Sequence, residues 1–197
     1  MTPESPTLPF PGAPALASQW VPALEAVLFA SADPMSTAAL AKALGDADSN
    51  QVRQALAVLT ERSHRPESGV RLVQVAGGWQ LQTDPRFAAQ VLRAKQARPV
   101  TLGPAALEVL AGVAYKQPVT RQELDALRGV DCGGVLKKCV DRGLVKVVGR
   151  RKLPGRPLEY GTTERFLQLF SLRTLSDLPT LAERETMTRY QPPEPLG

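Results

Sequence analysis

Two stretches of this chain repeat one another at the spacing of a small domain. The first is PALEAVLFASADPMSTAALAKALG, residues 22–45, and the second is AALEVLAGVAYKQPVTRQELDALRG, residues 105–129. Leu24 and Val27 fall on Leu107 and Leu110, an offset of 83 residues. With one residue inserted, Pro34, Ser36, Leu40 and Gly45 fall on Pro118, Thr120, Leu124 and Gly129. Solenoid repeats run to about 50 residues, so this period is too long for one. Two copies of one small domain are the reading that remains.

Each copy parses by the same physics. In the first, Leu24, Val27, Leu28 and Ser31 give a helix one apolar face. Asp33-Pro34 stops it, because a residue before proline avoids the α region. Ser36 is placed to cap a second helix, which ends at Gly45. Ser49 is expected to cap a third, carrying Val52, Leu56 and Leu59. GVRLVQVAGGWQLQT then alternates around Gly77-Gly78 as a β-hairpin does, and a short helix over about 85–94 follows. In the second copy a helix runs from about Gly103 to Tyr115 and breaks at Gln117-Pro118. T-R-Q-E, with Thr120 and Glu123, is a capping box for the next helix. Asp131 is expected to cap a third, which Gly143 ends. LVKVVG and LEYG read as strands around the loop RRKLPGRP, and Thr163 caps a closing helix.

Three helices followed by a hairpin, with a tight turn between helices two and three, is the order of a winged helix. The expected fold is therefore mainly α with small β-hairpin wings, an α+β chain of two tandem winged-helix domains. Residues 1–18 are expected to be a flexible leader, 19–95 the first domain, 96–101 a linker, 102–172 the second domain and 173–197 a tail.

Composition removes several function classes. The chain of 197 residues has one histidine and two cysteines, one short of the four ligands a Cys/His zinc site needs. A disulfide scaffold does not suit two cysteines in a chain of this size. The opening MTPESPTLPFPGAP lacks the basic and apolar regions of a secretory signal, and no stretch approaches a membrane span. The expected compartment is the cytoplasm. His64 sits at a helix C-terminus, an ordinary place for a cation. Cys132 and Cys139 read as small buried hydrophobes. Gly133-Gly134 weakens the helix that it opens, or admits a close neighbour there. Phosphate loops, metalloprotease helices and nucleophile elbows are absent from the sequence, so no catalytic, cofactor-binding or metal-binding residue is expected.

The charge is uneven. Net charge is +5, and from Lys137 to Arg156 eight basic residues face a single acid, Asp141. Residues 19–95 carry eight bases against seven acids. Arg150, Arg151, Lys152 and Arg156 are thus candidates for nucleic-acid contact, through phosphates, as a DNA-binding transcriptional regulator would require. The alternative is that these long side chains only solvate an exposed hairpin.

EAVLFASADPMS, VAGGWQLQT, AYKQPVTRQELDALRGVD, LVKVVGRRKLPGRPLEYGTTERFLQLF and LSDLP together make the chain resemble the bacterial segregation and condensation protein B family. The resemblance runs from about Val21 to Leu181. It implies two winged-helix domains, a homodimer formed largely through the first, and no catalysis. It also implies binding to the kleisin subunit, segregation and condensation protein A. Through that subunit it implies regulation of the structural-maintenance-of-chromosomes ATPase that organises and segregates the chromosome, in the cytoplasm at the nucleoid. DNA contact in such an assembly is expected to be indirect and membrane contact absent. Serine is common in the family where this chain has Cys132, in keeping with packing. Tyr115, Lys116 and Gln117 form an aromatic, partly polar rim suited to a partner segment that orders on binding. Tyr115 equally suits closure of the domain core with its hydroxyl at the surface.

Overall fold

The computed structural model describes residues 19–95 and 101–180. The expected leader, residues 96–100 of the expected linker and residues 181–197 of the expected tail lie outside the described residues. The chain divides into two compact units between Thr101 and Leu102.

In the first unit, α1 (Val21–Ala30), α2 (Thr37–Ala43) and α3 (Ser49–Ser63) precede a hairpin of β1 (Val70–Val75) and β2 (Gly78–Thr83). Leu24, Leu28, Leu40, Val52, Leu56 and Leu72 are almost fully buried and make one core from all three helices and the wing. The Ser36 hydroxyl accepts from the Ala39 N–H, the expected cap of α2. The cap of α3 lies one residue earlier than expected. Asp48, not Ser49, sits in the extended conformation, and its carboxylate accepts from Asn50 and Gln51. A carboxylate complements the positive helix end better than a hydroxyl does.

The hairpin turn also differs from the expected glycine pair. Ala76 and Gly77 form the two-residue turn at φ 49° and 72°, and Gly78 pairs with Val75 in the ladder. Gly78 answers a different need. A Cβ there would lie 2.9 Å from the Met35 nitrogen and the Pro34 carbonyl carbon. That approach lets Met35 bridge Trp79 through two backbone hydrogen bonds of 2.8 and 2.9 Å, a one-residue third strand. After the wing, buried Asp84 accepts from Arg71 and from both the backbone and side chain of Arg86. It joins the hairpin to a 3-10 turn (Pro85–Phe87) and α4 (Ala88–Lys95).

The second unit repeats the plan with α5 (Pro104–Lys116), β3 (Val119–Thr120), α6 (Arg121–Arg128), α7 (Gly133–Asp141), β4 (Val145–Arg150) and β5 (Leu158–Thr162), closed by α8 (Glu164–Leu169) and a 3-10 turn (Leu175–Asp177). Its sheet is antiparallel in the order β3-β5-β4, which leaves β4 at an edge. The capping box at Thr120 and Glu123 forms as expected. Cys132 occupies the N-cap of α7, where Asp131 was expected, and Asp131 instead accepts from the Gly133 N–H. Val109, Leu110, Val113, Leu124, Leu136, Val145 and Phe166 form the core, with both cysteines inside it.

Candidate functional site

Three surfaces carry chemistry beyond core packing. The first is the rim at the end of α5. Gln117, the C-cap of α5, turns its side chain inward, accepting from the Thr162 N–H at 2.8 Å and the Thr162 hydroxyl at 3.2 Å. It pins α5 to β5. The Tyr115 hydroxyl donates to the Pro179 carbonyl at 2.7 Å while the residue stays 40% exposed. Lys116 is exposed. The segment after α8 therefore reaches back to this rim. Leu172 and Leu178 pack against the core, and Asp177 receives the Arg173 guanidinium and the Thr174 N–H. The signal in the sequence was LSDLP, of which Leu178 and Asp177 hold the segment down while Leu175 stays exposed.

The second surface is the wing of the second unit. Arg151 donates to Glu159 at 2.8 Å, to the Glu123 carboxylate and to the Pro118 carbonyl at 2.9 Å. One guanidinium thus ties the wing to the start of α6 and to the turn before β3. Its hydrogen bonds to the Glu159 and Glu123 carboxylates raise its pKa further above an already high value. The Glu123 carboxyl is held below the usual carboxylate range, first by the Thr120 N–H and then by the Thr120 hydroxyl and Arg151. Arg150, Lys152 and Arg156 are exposed, and Val147, Val148 and Leu153 are about half exposed beside them. Below the wing, Arg121, Gln122, Asp125, Pro157, Leu158 and Tyr160 line an open cleft of about 440 Å³.

The third surface belongs to the first unit. Phe29 on α1 is 83% exposed. The helix α4 buries none of its residues, and Phe87 just before it is also exposed. A large aromatic on a helix and a second helix without a buried side chain are unusual for a surface meant only for water.

The thiols are not nucleophiles. Burial and the Asp125 carboxylate push Cys132 up to about 11, and burial also raises Cys139. Among the described residues, no three His, Cys, Asp or Glu side chains are grouped to hold a metal ion. No described helix is long and apolar enough to cross a membrane. His64 caps the C-terminus of α3, its Nδ1 2.8 Å from the Thr60 carbonyl oxygen.

Two winged-helix units, one with an open cleft below a basic wing and the other with an unburied helix, are built for binding and not for chemistry of their own. The family model described as "Segregation and condensation complex subunit ScpB" matches residues 22–181, and the chain belongs to that non-catalytic family. The segregation and condensation protein B of Syntrophotalea carbinolica is 49% identical over 166 residues, 84% of this chain and 84% of that one. The crystal structure of ScpB from Mycobacterium tuberculosis is 35% identical, covering 79% of this chain and 97% of that chain at a TM-score of 0.37. A further solved structure, a dimer of the ScpB N-terminal domain complexed with a ScpA peptide, is 24% identical and covers 39% of this chain and 95% of that one, at a TM-score of 0.37.

Proposed function

We propose that this chain is a dimeric adaptor that binds the kleisin subunit, segregation and condensation protein A, in the complex that condenses and segregates the bacterial chromosome. Residues 19–95 dimerise, and residues 102–172 bind the partner. The ATP chemistry belongs to the structural-maintenance-of-chromosomes ATPase reached through the kleisin, and the protein works in the cytoplasm at the nucleoid. The observation that carries the reading is the family match, which spans the folded parts of both units.

The surfaces support it. The exposed Phe29 and the unburied α4 give the first unit an apolar face to cover with a second copy. In the second unit the half-exposed Tyr115 ring and Lys116 stay open to a partner, while Gln117 contributes by fixing the rim. Pro179 covers the Tyr115 hydroxyl, so a partner segment approaches the ring beside it or displaces the chain's own strap. Size-exclusion chromatography with light scattering, run alone and with the kleisin, tests both halves. A homodimer and a stable co-eluting complex are expected. A monomer that forms no complex at micromolar concentration would refute the reading.

A further inference from the structure

The second unit distributes its charges in a way that neither folding nor the adaptor role explains. Eight acids lie between residues 101 and 180. Six of them are bound by arginines: Glu108 by Arg128, Asp125 and Asp131 by Arg121, Glu123 and Glu159 by Arg151, and Asp177 by Arg173. Only Asp141 and Glu164 are left over. On the other side of the balance Lys137 and Lys138 on α7, Lys146 and Arg150 on β4, and Lys152 and Arg156 in the wing loop are all exposed. None of these six makes an ion pair or a side-chain hydrogen bond among the described residues. Clustered cations repel one another and destabilise the compact state unless a polyanion or its counterions offset them. The first unit has the same fold and carries no comparable cluster.

The shape matches the charge. The six cations stand on the second helix of the helix-turn-helix and on the wing that projects beside it. β4 is an edge strand whose central residues Lys146, Val147 and Val148 are all exposed. Arg151, in the middle of the run, is removed from any such surface by its two glutamates and sets the wing angle instead. The outer positions of α7 are Gly134, Lys137, Lys138 and Asp141. They include no asparagine, glutamine or arginine, the side chains that make most bidentate contacts to base edges.

We infer that the α7 and wing face of the second unit docks on the phosphate backbone of duplex DNA without reading its sequence, so that the adaptor touches DNA directly. The test uses the full chain, a short fluorescently labelled duplex of arbitrary sequence, and anisotropy across a salt series. With six phosphate contacts, affinity falls about a thousandfold between about 50 and 200 mM salt. The variant Lys146→Gln, Arg150→Gln, Lys152→Gln, Arg156→Gln leaves two contacts, and the slope of log affinity against log salt drops from about five to about two. The variant Lys42→Gln, Arg53→Gln, Arg65→Gln removes three exposed charges of the first unit that lie outside α1 and α4, and keeps the wild-type slope. Circular dichroism confirms that both variants fold. Absence of duplex binding at the low-salt end overturns the inference, and so does an equal loss in both variants. If the wing variant loses the kleisin while the wild type ignores the duplex, the face belongs to an acidic protein segment and the inference also fails. Dimerisation and kleisin binding are read separately by light scattering, so their failure is not mistaken for this one.

Discussion

A methyl group placed on Gly78 would meet the backbone of Pro34 and Met35 at 2.9 Å, while one placed on Gly134 would meet nothing within 4 Å. Gly78→Ala therefore has to push the Met35 segment off Trp79, and a lower melting temperature in a circular dichroism melt is the expected outcome. Gly134→Ala fills open space on a helix and should raise stability by up to about 1 kcal/mol. The neighbouring Gly133 is the one of the pair that admits a neighbour: a Cβ there would stand 2.5 Å from the Arg121 guanidinium carbon. The two cysteines make a chemical prediction. With Cys132 pushed up to about 11 and Cys139 also raised, the thiolate fraction at pH 8 is about a thousandth for Cys132. A thiol reagent should leave the folded chain unlabelled and modify both residues once denaturant is added. Rapid labelling of the native chain would contradict their burial. Asp84 supplies the pH dependence. Its hydrogen bonds with the Arg86 side chain and backbone, and then with Arg71, hold its pKa well below the ordinary value. A depressed carboxylate stabilises the fold above its unfolded pKa, about 4, and that contribution fades as pH falls below it. Asp84→Asn should lower the melting temperature at pH 7 and flatten the acid side of the stability profile.

At the scale of elements, much of the secondary structure was legible because several helices announce their own start, while the caps of α3 and α7 fall one residue away from the expected ones. Ser36, Thr120 and Thr163 all cap as their positions require, since a cap is a local event between residues three apart. What the sequence hid is non-local. β3 is two residues long, and the Met35–Trp79 bridge is a single pair, so neither has a periodicity to read. Gln117 looked like part of an open rim because nothing near it in sequence reveals that its partner is Thr162. Arg151 looked like one more cation of the wing, and only the fold brings Glu123 and Glu159 to it from either side. Glu123 consequently does two jobs, closing the capping box of α6 and holding the wing. Thr120→Ala removes both hydroxyl contacts at that box, the one accepted from the Glu123 N–H and the one donated to its carboxylate, and should cost about 1 kcal/mol in a denaturant titration. Arg151→Gln should do something a cap mutation does not. It frees the wing, so amide exchange at Glu159 and Tyr160 should accelerate while the amides of α5 keep their protection. Uniform acceleration across the unit would mean that Arg151 supports the whole fold and not the wing.

At the scale of the molecule, two copies of one fold carry different surfaces. The second unit concentrates unpaired cations and the first is balanced but leaves apolar area uncovered. Phe29 is the sharpest instance. Its neighbours on α1 that face the core, Leu24 and Leu28, are buried to 0% and 1% exposure, yet Phe29 itself is 83% exposed. A twofold interface presents the same patch from both copies, so one phenylalanine near the axis is buried twice. Burying such a side chain is worth about 1.5–3 kcal/mol, and two of them at one interface supply about 3–6 of the roughly 8 kcal/mol that micromolar association requires. Phe29→Asp puts two like charges at the same place and should turn a particle of twice 21.2 kDa into one of 21.2 kDa by light scattering at micromolar concentration. Its circular dichroism should not change, because the side chain supports nothing in its own unit. Phe29→Leu, which keeps an apolar contact, should weaken the dimer and not abolish it. If the aspartate variant stays dimeric with wild-type affinity, α1 faces away from the partner copy and α4 has to carry the contact instead.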